Sequence, residues 1–120
     1  MKNILVVDDS PVVQHYHINV LKGAGFAAEG AADGMEALEK SLSKPFDLIL
    51  CDINMPNMDG LTFIRKFREA GMTVPVILIS TQEEYAHQKK GYESGANIYI
   101  VKPVKPVELI AHAKMLLAGE

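Results

Sequence analysis

Five short apolar runs, at residues 4–7, 26–31, 46–51, 74–79 and 97–101, alternate along the chain with segments of helical periodicity. That alternation constrains the fold more than any other feature. A strand followed by a helix and then another strand gives a parallel sheet with helices packed on it. The runs are nearly continuous in apolar character, as expected of strands buried on both faces. At 120 residues the chain fits one domain, residues 1–120, large enough to bury a core without disulfides.

The intervening segments carry their own punctuation. Ser10 followed by Pro11 reads as a helix N-cap and first-turn proline. The apolar stripe that follows is Val13, Tyr16, Val20, Leu21 and Ala24, and Gly23 and Gly25 close the helix. Asp33, with Glu36 three residues on, opens the second helix in capping-box spacing; Ala37, Leu38 and Leu42 form its apolar side. A third helix is expected over residues 61–70 with Leu61, Ile64 and Phe67 inward, and a fifth from Pro106 with Leu109, Ile110, Ala113, Leu116 and Leu117. The fourth, over residues 82–94, contains Gly91 and few large apolar residues, so it is expected to be the least stable element. The expected architecture is an α/β, flavodoxin-like (βα)5 fold of strand order 2-1-3-4-5, with helices on both faces.

In such a sheet, chemistry lies beyond the carboxyl ends of the strands. Strand 1 ends in Asp8-Asp9, strand 3 in Asp52, strand 4 in Ser80-Thr81 and strand 5 in Lys102-Pro103. A lone aspartate at a strand end is usually a cap or a solvated loop residue. Three converging on one lysine call for another explanation. Two carboxylates about 4 Å apart repel by about 4 kcal/mol at an effective dielectric near 20, so a proton or a cation must relieve them. An all-oxygen site with positions left for water suits Mg²⁺.

Asp8-Asp9-Ser10, the run from Cys51 through Asp52, Asn54 and Pro56 to Asp59-Gly60, Ser80-Thr81 and Tyr99-Ile100-Val101-Lys102-Pro103 together resemble the signature of response-regulator receiver domains, in order and spacing, across essentially the whole chain. The resemblance implies that Asp52 takes a phosphoryl group from a sensor histidine kinase or phosphotransfer protein. Asp9 would bind Mg²⁺ directly, Asp8 would help hold it, and the backbone carbonyl of Asn54 would add a further oxygen. Lys102 and Ser80 would receive the phosphoryl oxygens beside Thr81, and Tyr99 would turn inward as the switch. Asn54 and Gln82 would tune hydrolysis, and the Lys102–Pro103 bond is a candidate for the cis form. The output would be a protein partner bound at the face of helix 4, strand 5 and helix 5. Thr81, where alanine is frequent in the family, would narrow access to the phosphoryl group.

Other readings fit less well. An aspartate-nucleophile phosphatase usually carries a second carboxylate two residues after the nucleophile, where this chain has Asn54, so turnover of outside substrates is not expected. A flavin site would need a hydroxyl- and glycine-rich loop where Asp8-Asp9 stands. The net charge of −3 argues against direct nucleic-acid binding. No run is long enough to span a membrane, and one cysteine, Cys51, allows no internal disulfide; a cytoplasmic setting is expected. Cys51 reads as a buried small apolar residue, and His15, His17, His87 and His112 as surface or helix-face residues. Lys89-Lys90 reads as a solvated pair or as a flank of the output face. The chain ends just after the fifth helix, which points to a stand-alone, chemotaxis-like receiver. The alternative is a receiver taken from a longer transcriptional regulator or hybrid kinase.

Overall fold

In a computed structural model that describes residues 1–81 and 85–118, five parallel strands form one sheet of order β2-β1-β3-β4-β5. The strands are β1 (Asn3–Val7), β2 (Ala27–Ala31), β3 (Leu48–Asp52), β4 (Val76–Ser80) and β5 (Ile98–Val101). The helices are α1 (Pro11–Gly23), α2 (Gly34–Ser43), α3 (Gly60–Glu69), α4 (Tyr85–Ser94) and α5 (Pro106–Leu117). Alternation along each strand divides the interior in two. Leu5, Val7, Ile49, Cys51, Leu78 and Tyr99 join Phe63 and Phe67 of α3 in one core. Ile4, Val6, Leu48, Leu50, Ile77, Ile79 and Ile100 meet Leu21 of α1 and Leu109 and Ala113 of α5 in the other. Burying a side chain such as Phe63 contributes about 1.5–3 kcal/mol.

The caps form as the sequence predicts. Ser10 Oγ accepts from Val13 N at 3.4 Å and Asp33 Oδ1 from Glu36 N at 2.9 Å. Glu36 itself pairs with Lys40 Nζ at 3.3 Å. The third helix begins one residue earlier than expected because Asp59 caps it, its Oδ1 accepting from Thr62 N at 2.8 Å.

Two apolar stripes differ from expectation by one position. On α1, His17, Ile18 and Leu21 face the sheet, so Tyr16 turns out to 48% exposure and His17, read as a surface or helix-face residue, is buried. On α2 the buried residues are Gly34, Ala37 and Ser41, small enough to bring the helix axis close, and Leu42 faces outward. The fourth helix packs its glycine onto the sheet: a Cβ at Gly91 would lie 2.8 Å from the Tyr99 ring. The close approach of α4 to β5 therefore explains a residue that costs a free helix about 1 kcal/mol.

Candidate functional site

β1 lies between β2 and β3, so the strand order reverses direction there and opens a crevice at the carboxyl ends. Register sets what meets in it. Val7 is opposite Cys51, Asp52 opposite Ile79, and Ser80 opposite Val101. Asp8, Asp9, Asp52 and Lys102 therefore reach one edge. Asp8, Asp9 and Asp52 each offer a carboxylate oxygen within 4.8 Å of the others. Lys102 Nζ stands 3.4 Å from Asp52 Oδ2 and 3.8 Å from Asp8 Oδ2.

The three acids differ in setting. Asp8 is buried; its Oδ1 accepts from Ser10 N at 2.9 Å, while Oδ2 has no hydrogen-bond partner among the described residues. Asp9 is exposed. Asp52 is buried, with Oδ1 accepting from Ile53 N at 2.9 Å. Burial pushes the Asp52 carboxyl above its usual range; Lys102 pulls it back and Asp8 adds to the rise. A buried oxygen facing a single ammonium, inside a cluster of like charges, is an environment that a small divalent cation relieves. The all-oxygen donor set fits such an ion.

The surroundings hold this arrangement tightly. Gln14 of α1 donates through Nε2 to Asp8 O at 3.2 Å and to Ala31 O at 2.9 Å. The loop after Asp52 returns onto the strand through Gly60 N, which donates to Ile53 O at 2.8 Å, and a Cβ at Gly60 would run into the Asp52 carbonyl. Asn57 adopts φ 67° at the loop's tip and donates through Nδ2 to Asp33 Oδ2 at 2.7 Å, fastening the loop to the start of α2. Hydrogen bonds from the Glu36 backbone and then from Asn57 hold the Asp33 carboxyl below its usual range.

The remaining predicted residues fall in and around the crevice. Ser80 is fully buried and its carbonyl accepts from Lys102 N at 2.7 Å. Thr81 and Asn54 are exposed. The Lys102–Pro103 bond is cis. Tyr99 already lies inward at 9% exposure, and its N–H donates to the Tyr92 hydroxyl at 3.2 Å. Gln82 lies outside the described residues. Cys51 is buried, its thiol donating to Asp52 O at 3.1 Å, and burial raises its pKa well above the ordinary value, which leaves a neutral thiol. Beside the acids, a cavity of about 430 Å³ is lined by Val13, Tyr16, His17, Thr81, Lys102, Pro103 and Val104.

Sequence reasoning missed Asp59 as a cap, although an aspartate ahead of an apolar-periodic run is a readable signal. It also missed Gln14 and the burial of His17. A glutamine or histidine within a helix gives no local sign of what it will touch across the fold.

The fold and the crevice place the chain among doubly wound α/β domains with an acid-lined site at the switch point, and known proteins narrow that class. The family model "response regulator receiver domain" matches residues 4–114. The transcriptional regulatory protein ResD of Bacillus subtilis is 39% identical over 114 residues, covering 95% of this chain and 47% of ResD. The chemotaxis protein CheY4 of Vibrio cholerae superposes with a TM-score of 0.92 at 34% identity, covering 98% of this chain and 99% of that one. CheY in the CheX–CheY–BeF3–Mg²⁺ complex from Borrelia burgdorferi gives 0.91 at 30% identity, over 96% and 88%. The chain belongs to the response regulator receiver domains of two-component systems. It spans about half the length of ResD and similar curated relatives. No described helix is long and apolar enough to cross a membrane.

Proposed function

We propose that residues 1–120 act as a single phospho-accepting receiver, with Asp52 the residue modified. The observation that carries this reading is the convergence of Asp8, Asp9 and Asp52 within 4.8 Å, with Lys102 Nζ 3.4 Å from Asp52. An Asp52 carboxylate oxygen forms the new bond to phosphorus. The P–N bond of a phosphohistidine breaks, and its electron pair stays on the imidazole nitrogen. With a small acyl phosphate the P–O bond breaks instead. Asp8, Asp9, Asp52 and the Asn54 carbonyl would hold Mg²⁺, which when bound supplies positive charge against the phosphoryl oxygens. Lys102 and Ser80 take the remaining oxygens beside Thr81, and Asn54 and Gln82 tune access of water. The Borrelia relative in its Mg²⁺-containing complex with CheX is consistent with both the ion and a protein partner.

The chain modifies only itself. Its donor would be a sensor histidine kinase or phosphotransfer protein in the cytoplasm. Tyr99 is inward, so a phosphoryl group drawing on Ser80 would hold that arrangement against an outward one, favouring one of two existing states. The readout would be the face of α4, β5 and α5. The likeness to the chemotaxis protein CheY4 supports an output through protein binding. A second reading, the receiver portion of a longer transcriptional regulator, is favoured by ResD, of which this chain spans 47%.

Incubation with Mg²⁺ and acetyl phosphate should add one phosphate to the intact mass, and Asp52→Asn should abolish the adduct. Absence of an adduct with every donor and cognate kinase would overturn the mechanism. Lys102→Ala should still accept some phosphate yet leave partner affinity unresponsive to it.

A further inference from the structure

We propose that Gln14 is a positioning residue for the acidic pocket, seated by the missing side chain at Gly30, and that this pair sets the affinity for Mg²⁺. The inference rests on the Mg²⁺ reading above. Asp8 follows directly on β1 with both its N–H and its carbonyl committed: the N–H donates to Ala31 O at 3.1 Å, and the carbonyl accepts from Gln14 Nε2 at 3.2 Å. The same nitrogen reaches Ala31 O at 2.9 Å. Only the amide nitrogen of a glutamine can serve two carbonyls, so the side chain has one useful orientation here. The Asp8 carbonyl belongs to the peptide that leads into Asp9. Fixing that plane fixes where the backbone launches Asp9, the exposed member of the triad.

Gly30 makes room for this. A Cβ built there would overlap the Gln14 carboxamide, and its three nearest atoms all belong to Gln14. The conformation of Gly30 is not left-handed, so alanine fits the backbone itself. Its carbonyl is held from the other side by Lys40 Nζ at 2.6 Å. Alanine at position 30 would therefore leave the strand in place and evict a flexible side chain from a distant helix. Groups that orient ligands without touching the metal typically change metal affinity by about 10–100-fold when removed.

The test is a Mg²⁺ titration of the full chain, followed by amide NMR shifts around Asp8, Asp9 and Asp52, with melting temperature recorded in parallel. Gln14→Met, which keeps the volume and loses the donors, and Gly30→Ala should each raise the Mg²⁺ midpoint about tenfold. The double variant should be no worse than either single one, because both act through one contact. Wild-type midpoints in both variants, or a lowered melting temperature with no change in midpoint, would overturn the inference while leaving the Mg²⁺ site standing. A wild-type protein that shows no Mg²⁺-dependent shift would remove that site and this inference together.

Discussion

The two ends of the sheet treat charge in opposite ways. At the amino ends of β4 and β5, the Arg68 guanidinium is spread over neutral acceptors. Nε and Nη2 donate to Gly95 O at 3.1 and 3.0 Å, Nη1 to Met72 O and Val74 O at 3.0 and 2.7 Å, and Nη2 to Asn97 Oδ1 at 3.1 Å. Asn97 Oδ1 also accepts from Val76 N at 2.8 Å, tying the arginine to the first residue of β4. Burial lowers the pKa of Arg68 from its very high ordinary value. At the carboxyl ends, by contrast, three carboxylates cluster, two of them beside one lysine, and Asp8 Oδ2 lacks a hydrogen bond among the described residues. One end is closed by satisfied hydrogen bonds. The other keeps unfavourable free energy that a ligand can release.

The contrast can be broken by experiment. Arg68→Ala should have the largest effect, about 3 kcal/mol lost in urea denaturation, since hydrogen bonds to a charged group contribute about 1.5–3 kcal/mol each and are not additive. Its Mg²⁺ midpoint should stay at the wild-type value; a shift would mean that the two ends are coupled. Mg²⁺ at about 100 times its dissociation constant should stabilise the wild-type protein by about 2.7 kcal/mol, and much less at the same concentration in Asp52→Asn. Equal stabilisation of both would place the ion elsewhere. Asp8→Asn, measured without metal, should stabilise by about 1.4 kcal/mol, the scale of one pKa unit, by taking one charge out of the carboxylate cluster, while weakening Mg²⁺ binding. A destabilised variant would show that the pair with Lys102 outweighs the repulsion.

The smallest effect concerns pH. Burial lowers the pKa of His17 from 6.5, with Asp8 opposing the shift and Lys102 reinforcing it. The unfolded chain then binds the proton more readily, so stability falls as pH drops below 6.5 toward the lowered value, and is retained above it. His17→Phe should remove that part of the slope in melting temperature against pH. An unchanged slope would assign it to other groups.

Most of the architecture was legible because it rests on periodicity. The five strands and five helices fall within a few residues of expectation, and the strand order is the one the alternation implies. The acids and Lys102 were legible because strand ends are forced together by a parallel sheet. What could not be read was rotation about helix axes and long-range polar contact. Tyr16 and Leu42 were placed inward by an apolar count, yet the neighbouring small or polar residues His17 and Ser41 took those positions. Packing distance decided both, and single-residue hydrophobicity does not encode it. Arg68 is a similar case. Its partners lie as many as 29 positions away, and most are backbone carbonyls that every sequence possesses.

The grip of Arg68 on Gly95 has a mechanical consequence. The carbonyl it holds lies one residue beyond the last turn of α4, and the Tyr92 hydroxyl pins the same end of the helix to β5. The carboxyl end of α4 is thus a fulcrum, and Tyr85 stands at the tip of a ten-residue lever about 15 Å long. A tilt of about ten degrees that leaves the fulcrum in place carries that tip roughly 2.5 Å. Small rearrangements at the bearing are magnified toward the mouth of the crevice, and displacements imposed there arrive at the bearing reduced.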